Sequence, residues 1–273
     1  MRESSMVAVA VAQFAPGTDK RANLVRAGEL VRSAADRGAR VVVLPEYAMF
    51  TAPATDRRFV ESAEPLDGPY VSGLRELARE SGVYVVAGVN EALDEPERFS
   101  NTTVAVGPDA EPVACYRKLH LYDAFGFAES AVVRPGEVTD PPVFTVDGLV
   151  FGLQTCYDLR FPEVTRRLAD AGAQVVAMGA EWVPGPLKEE HWRVLVRARA
   201  VENTLYVAAA GQSAPTGSGN SMIVDPMGVV VTSLGEQEGV AVAEAESGRV
   251  AEVREVNPAL ALRRFAVSPK QPT

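Results

Sequence analysis

Three residues whose side chains do chemistry follow apolar segments, at points where the strands of an α/β fold would end. Glu46 follows the run VVVLP, Lys118 follows a short strand predicted at 112–115, and Cys156 ends the segment FGLQTC. Loops at strand ends build the sites of such folds, and a carboxylate beside a buried strand is costly without a role or a partner. Singly, each residue has an ordinary explanation: a solvent-facing or capping carboxylate, a solvated ammonium, or a thiol serving as a small core residue.

Together, these side chains supply what a thiol needs in order to attack an amide carbonyl. The nucleophile needs a base to take its proton and a cation to hold the oxyanion, inside apolar walls. Glu46 is the candidate base, Lys118 the candidate cation and Cys156 the candidate nucleophile. The chain has only two histidines, His120 and His191, and neither follows the pattern of papain-like enzymes.

The segments that must position these residues alternate between strand-like and helix-like patterns. Apolar runs typical of buried strands precede stretches with helical spacing, which predicts an α/β protein with helices covering mixed sheets. Helices are predicted over 19–37, 69–81, 162–171 and 188–203. Strands are predicted over 6–14, 40–44, 83–87, 143–146, 149–155, 174–178, 205–210, 221–225, 229–233 and 240–243, with two more between 101 and 117.

Composition and charge narrow the class of protein. The 273 residues include 27 Lys or Arg and 36 Asp or Glu, a net charge of -9, which offers no electrostatic basis for binding nucleic acid or an anionic membrane. No segment resembles a membrane span or a signal peptide, and two cysteines cannot form a disulfide framework, so we expect a cytoplasmic protein. Nothing marks a boundary between domains, and we predict a single domain over 1–273.

Two other kinds of site are disfavoured by the spacing of their candidate residues. Cys115, Cys156, His120 and His191 do not fit the usual spacing of zinc ligands, so no metal is expected. No glycine-rich phosphate motif follows a strand, which disfavours a nucleotide-binding domain.

The motifs around the candidate residues resemble those of the nitrilase superfamily of carbon–nitrogen hydrolases. That family carries its Glu in LPE, its Lys in RK.HL and its Cys in C.D.RFPE. The chain has LPEY at 44–47, RKLHL at 117–121, CYDLRFPE at 156–163, NT at 101–102, ES at 129–130 with PG at 135–136, GPLKEEHW at 185–192, RARAVEN at 197–203 and DPMG at 225–228. The resemblance covers about 7–256, and the residues after the cysteine are similar to those of the ω-amidase and deaminated glutathione amidase branch.

The resemblance implies a four-layer αββα sandwich, in which two mixed sheets lie face to face and helices cover each sheet. It also implies a homodimer or higher homo-oligomer, and the hydrolysis of a small amide without metal or organic cofactor. In the implied reaction, Glu46 takes the proton of Cys156. Lys118 and the backbone N–H of Tyr157 hold the oxyanion, and Glu129 orients Lys118 and the substrate.

Residues near the nucleophile are candidates for binding the substrate. Arg160 has a planar guanidinium that suits a substrate carboxylate, although a structural salt bridge to Glu163 or Asp158 is an equal alternative. The predicted walls of the pocket are Tyr47, Phe127, Glu181 and Trp182. A nitrilase, an N-carbamoyl amino acid hydrolase and a catalytically silent binding protein of the same fold remain alternatives.

Overall fold

A computed structural model describes residues 4–270, which contain two sheets and six α-helices. The strands are β1 (Met6–Gln13), β2 (Val41–Val43), β3 (Tyr84–Ala92), β4 (Phe99–Val106), β5 (Pro112–Arg117), β6 (Val143–Val146), β7 (Leu149–Thr155), β8 (Val175–Ala180), β9 (Tyr206–Gly211), β10 (Met222–Val224), β11 (Val230–Ser233) and β12 (Gly239–Glu246). The helices are α1 (Lys20–Asp36), α2 (Arg57–Ser62), α3 (Pro69–Ser81), α4 (Pro162–Asp170), α5 (Lys188–Asn203) and α6 (Ser247–Val256). None of these helices has both the length and the apolar character needed to cross a bilayer.

Each sheet has six strands and mixes parallel with antiparallel pairing. The first has the order β12-β1-β2-β3-β4-β5, and the second has the order β11-β10-β9-β8-β7-β6. The parallel strands are β1 to β3 in the first sheet and β7 to β9 in the second. Parallel strands run in the same direction and therefore end at one edge of their sheet, which brings together the residues that follow them.

The inner faces of the sheets pack against each other. Val9 and Val11 of β1 belong to one buried cluster with Phe151 and Leu153 of β7. The alternate residues of β1 point the other way, and Ala10 packs in the cluster that includes α1. This period of two is what a strand buried on both faces requires.

Helices cover the outer faces of both sheets and complete four layers. Side chains of α1 and α3 pack on the first sheet, and side chains of α4 and α5 pack on the second. The predicted αββα sandwich, with two mixed sheets covered by helices, is confirmed.

Two helices and the full lengths of β3 and β12 are not predicted by the sequence pattern. α2 has only six residues, and α6 buries only Val250 and Val253. β12 extends beyond its predicted bounds because it pairs with the whole of β1, from Gly239 opposite Gln13 to Glu246 opposite Met6. Pairing with a neighbouring strand, rather than local periodicity, fixes this length.

Candidate active site

Glu46 lies where the chain leaves β2 and passes between the two sheets. A Cβ added to Gly88 of β3 would lie 2.6 Å from the backbone N of Tyr47, and one added to Gly179 of β8 would lie 2.6 Å from the backbone N of Glu46. Glycine is therefore required on both sides, because any side chain would collide with the Glu46 backbone. The backbone carbonyl of Glu46 also accepts a hydrogen bond from Gln212 Nε2 at 2.8 Å.

Lys118 brings two buried carboxylates together. Its Nζ lies 2.9 Å from Glu46 Oε1 and 2.8 Å from Glu129 Oε2, and the three residues are only 1–4% exposed. Asn101 Nδ2 donates to Glu46 Oε1 at 2.8 Å and to Glu129 Oε1 at 3.0 Å, and Tyr47 OH donates to Glu129 Oε1 at 2.7 Å. The sequence indicates Asn101 only as part of a motif, and its bridging position depends on the pairing of β3, β4 and β5.

The charges of this cluster stabilise one another. Burial opposes the charge of Lys118, but the carboxylates of Glu129 and Glu46 outweigh it and raise the pKa of Lys118 well above its usual value. Burial likewise disfavours the ionised form of Glu129, but Lys118 prevails and lowers the pKa of that carboxyl. Lys118 is therefore a fixed cation at neutral pH, as an oxyanion partner must be.

Cys156 begins a short 3₁₀ helix (Cys156–Arg160) directly after β7, with a backbone φ of 41°. Such a left-handed conformation is costly for a residue other than glycine and persists only where the surrounding structure enforces it. The thiol is 7% exposed and donates to the backbone carbonyl of Glu181, with Sγ and O 3.6 Å apart. Burial and then the charge of Glu46 raise the thiol's pKa well above its usual value, although Lys118 opposes them. The resting group is a thiol, which needs a base.

Asp158 fixes the turn that carries Cys156. Its carboxylate is completely buried and accepts hydrogen bonds from Tyr116 OH at 2.6 Å and from the backbone N–H groups of His120 at 3.1 Å and Thr155 at 3.3 Å. His120 Nδ1 lies 2.8 Å from the same carboxylate. Thr155 directly precedes Cys156, and Tyr116 and His120 flank Lys118 in the sequence. Asp158 therefore joins the segment of Cys156, the candidate nucleophile, to the segment of Lys118.

Glu181 contacts the other members of the site through its backbone. Its N–H donates to Glu46 Oε2 at 2.7 Å, so both carboxylate oxygens of Glu46 are held in place. Burial and the neighbouring charge of Glu46 raise the pKa of the Glu181 carboxyl well above its usual value. The Glu181 carboxyl therefore holds its proton more tightly than a free glutamate does.

All ten residues predicted for the site line one cavity of about 560 Å³. They are Glu46, Tyr47, Lys118, Phe127, Glu129, Cys156, Tyr157, Arg160, Glu181 and Trp182. Tyr47 serves mainly as support, because its ring packs edge-on against Phe59 and its hydroxyl is bound to Glu129. Tyr157 is the second residue of the 3₁₀ helix, where backbone N–H groups have no acceptor within the helix.

Arg160 does not form either of the salt bridges considered from the sequence. Asp158 is bound to other partners, and Arg160 Nη2 instead lies 3.3 Å from His191 Nδ1. Its guanidinium lies over the ring of Trp182, 4.9 Å from the centroid, and its buried Nε has no hydrogen-bond partner. The guanidinium therefore stays available to a ligand in the cavity.

The described part of the chain contains no group of three or more His, Cys, Asp or Glu residues placed to hold a metal ion. Cys115, the second cysteine, is exposed on β5 and does not line the cavity.

The sequence pattern of the family described as "Carbon-nitrogen hydrolase" matches residues 8–255. The chain belongs to this family and is a hydrolase of carbon–nitrogen bonds other than peptide bonds. Its relatives include "Hydrolase Rv0480c" of Mycobacterium tuberculosis, 43% identical over 90% of this chain and 92% of that protein. The deaminated glutathione amidase of Escherichia coli O157:H7 is 37% identical, over 94% of this chain and 97% of that protein. The omega-amidase NIT2 of Mus musculus is 34% identical, over 97% of this chain and 98% of that protein.

Solved structures of the nitrilase superfamily have the same fold. Nit3 of Saccharomyces cerevisiae, described as a member of branch 10 of that superfamily, superposes with a TM-score of 0.85 at 28% identity, over 96% of this chain and 97% of that one. A single-residue mutant of the amidase from Nesterenkonia sp. AN1 superposes with a TM-score of 0.80 at 26% identity, over 95% of this chain and 94% of that one. That mutant carries the acetamide moiety of fluoroacetamide covalently on its active-site cysteine.

Proposed function

We propose that this protein is a cysteine-dependent amidase that releases ammonia from a small, carboxylate-bearing amide through a thioester. The observation that carries the proposal is the contact of Lys118 with Glu46 and Glu129, at 2.9 and 2.8 Å, in the cavity that contains the Cys156 thiol. Two relatives named as amidases and the cysteine adduct of the Nesterenkonia amidase support the same chemistry.

The first half of the reaction forms the thioester. Cys156 gives its proton to Glu46 as the sulfur bonds to the amide carbonyl carbon, and the resulting oxyanion accepts hydrogen bonds from Lys118 Nζ and the backbone N–H of Tyr157. Glu46 then passes the proton to the nitrogen, the C–N bond breaks and ammonia leaves. Because the resting thiol is protonated, the reaction depends on Glu46.

The second half restores the enzyme. A water molecule gives a proton to Glu46 and bonds to the thioester carbonyl carbon. The C–S bond then breaks, the proton returns to the sulfur, and the carboxylic acid leaves. Glu129 takes part by holding Lys118 and by ordering the segment before it, since its carboxylate accepts from the backbone N–H of Tyr122 at 2.5 Å.

Arg160 supports a substrate that carries a carboxylate. Its guanidinium lines the cavity and forms no ion pair with any Asp or Glu that the structure describes, whereas Lys118 pairs with two glutamates. The walls next to it are aromatic, which strengthens an ion pair by excluding water.

The test is ammonia release from ω-amides of 2-oxo acids, deaminated glutathione, N-carbamoyl amino acids and nitriles, combined with intact-mass detection of an acyl adduct. We expect ammonia and an adduct with the amides, both abolished in Cys156→Ala and both retained in Cys115→Ala. Turnover confined to nitriles or N-carbamoyl amino acids would replace the substrate assignment. Amide turnover that survives in Cys156→Ala would refute the thioester.

A further inference from the structure

A second cation lines the cavity beside Arg160, and the sequence does not single it out. Lys188 is the first residue of α5 and is 6% exposed. Neither Lys188 nor Arg160 forms an ion pair with an Asp or Glu in residues 4–270, whereas Lys118 pairs with two glutamates. The cavity therefore holds two positive charges without anionic partners.

Aromatic groups fix the Lys188 ammonium in place. Its Nζ lies 4.7 Å from the ring centroid of Phe125, 4.8 Å from that of Tyr122 and 5.1 Å from that of Trp182. It also donates a hydrogen bond to Tyr122 OH at 2.7 Å. Aromatic faces attract a cation, but they leave it able to bind an anion as well.

The position of Lys188 is unfavourable in the absence of an anion. Burial and the charge of Arg160 both lower the pKa of Lys188, so the two cations repel each other. The N-terminus of a helix carries positive partial charge, which disfavours a lysine there and favours an anion. The residue before it, Leu187, has a left-handed φ of 58° and provides no side-chain cap. Burial, the charge of Arg160 and the start of the helix each disfavour the Lys188 ammonium, and a negatively charged ligand would reduce all three costs.

We propose that Lys188 determines specificity, and that with Arg160 it binds the carboxylate of the amide substrate. Arg160, which lines the same cavity and forms no ion pair with an Asp or Glu in the described residues, is the second observation that points to an anionic ligand at this place. The inference rests on the proposed amidase function, because it places the anionic end of the same substrate whose amide lies at Cys156.

The test compares two amides of nearly equal size, the monoamide of butanedioic acid and butanamide, on wild type and on Lys188→Gln. We expect Lys188→Gln to lower kcat/KM for the charged amide by about 10- to 100-fold, the range for hydrogen bonds to charged groups, and to change that for butanamide by much less. Lys188→Arg should restore most of the preference. Lys270→Gln, at an exposed position outside the cavity, removes the same charge and serves as the control.

A second measurement separates this inference from the proposed function. Butanedioate should raise the melting temperature of wild type and of Lys188→Arg, and raise that of Lys188→Gln much less. An equal loss of kcat/KM for both amides, or equal protection of wild type and Lys188→Gln by butanedioate, would overturn the role of Lys188. Butanedioate protection that depends on Lys188 without ammonia release from any amide would instead overturn the amidase proposal.

Discussion

At the scale of single residues, Glu46 has two opposite effects on Cys156. Its negative charge raises the pKa of the thiol and so disfavours the thiolate, while its carboxylate is the candidate acceptor of the same proton. Reactivity toward a small alkylating agent follows the thiolate fraction, whereas amide turnover needs the proton to be taken and returned.

We expect Glu46→Gln to change these two activities in opposite directions. Without the negative charge, the pKa of Cys156 falls and alkylation by iodoacetamide at about pH 8 becomes faster. Amide turnover should fall by at least about 10²-fold, because the general base is lost. Both rates are measured in a Cys115→Ala background so that only one thiol reacts. Parallel changes in the two rates would contradict the role of Glu46 as the base.

Glu181 gives a pH-dependent contribution to stability. Its pKa in the folded protein is raised above the usual 4.5, so between that value and the folded pKa the folded state binds more protons than the unfolded state. The free energy of unfolding therefore falls as pH rises through this window.

Glu181→Gln should remove this dependence. We expect urea denaturation to show a variant more stable than wild type at about pH 7, with the difference fading at about pH 4. Glu163→Gln, at an exposed position of α4, is the control and should follow wild type at both pH values. A constant difference between Glu181→Gln and wild type across this range would refute the assigned pKa direction.

At the scale of elements, β3 and β8 hold the segment of Glu46 between them. The glycines that permit this, Gly88 and Gly179, lie on different sheets, and a Cβ on either would come within 2.6 Å of the same stretch of backbone. The position of the candidate base therefore depends on how the two sheets are spaced.

Gly179→Ala should displace Glu46. The added methyl group collides with backbone atoms rather than with a flexible side chain, so we expect a loss of about 1–3 kcal/mol in the free energy of unfolding, with a large drop in turnover. Gly235→Ala meets no atom within 4 Å and should leave both unchanged. Urea denaturation measures the loss of stability, and ammonia release measures the loss of turnover. If Gly179→Ala matched wild type in both, the backbone of Glu46 would have moved aside without cost, and the prediction would be wrong.

The sequence predicts those elements and residues whose local signals agree with the fold. Apolar runs that end in Glu46, Lys118 and Cys156 predict both the strands and the clustering of the residues that follow them. α6 is missed because few of its residues are buried. Lys188 is missed because a lysine near a helix start looks like a solvated one until the aromatic rings of other segments surround it.

At the scale of the whole molecule, exposed apolar side chains gather on α5 and on the turn before β11. Val194 and Val201 on α5 are 52% and 44% exposed, and Met227 and Val229 in the turn before β11 are 50% and 56% exposed. The turn lies against α5, since a Cβ on Gly228 would come within 2.6 Å of Val201. We expect these four residues to form one apolar patch, of the kind that a second copy of the chain buries in a homo-oligomer.

We expect this patch to mediate the homodimer implied by the family resemblance. Val201→Asp should shift the mass seen in analytical ultracentrifugation from a dimer or larger species toward the 29.1 kDa monomer, because a buried unpaired charge is costly. Val25→Asp, similarly exposed on α1 at the opposite layer, should not alter the mass. A monomeric wild type, or a Val201→Asp variant of unchanged mass, would exclude this interface.

The packing of Gly88 and Gly179 against the Glu46 segment bears on redesign of the enzyme. Glu46, the candidate base, is held between two strands, whereas Lys188 and the rings of Tyr122, Phe125 and Trp182 around it come from connecting segments and from the start of α5. Preference for a new amide is therefore best changed at the side chains of 125–127 and 182–188, which leaves the backbone contact of Tyr122 with Glu129 and the position of Glu46 in place.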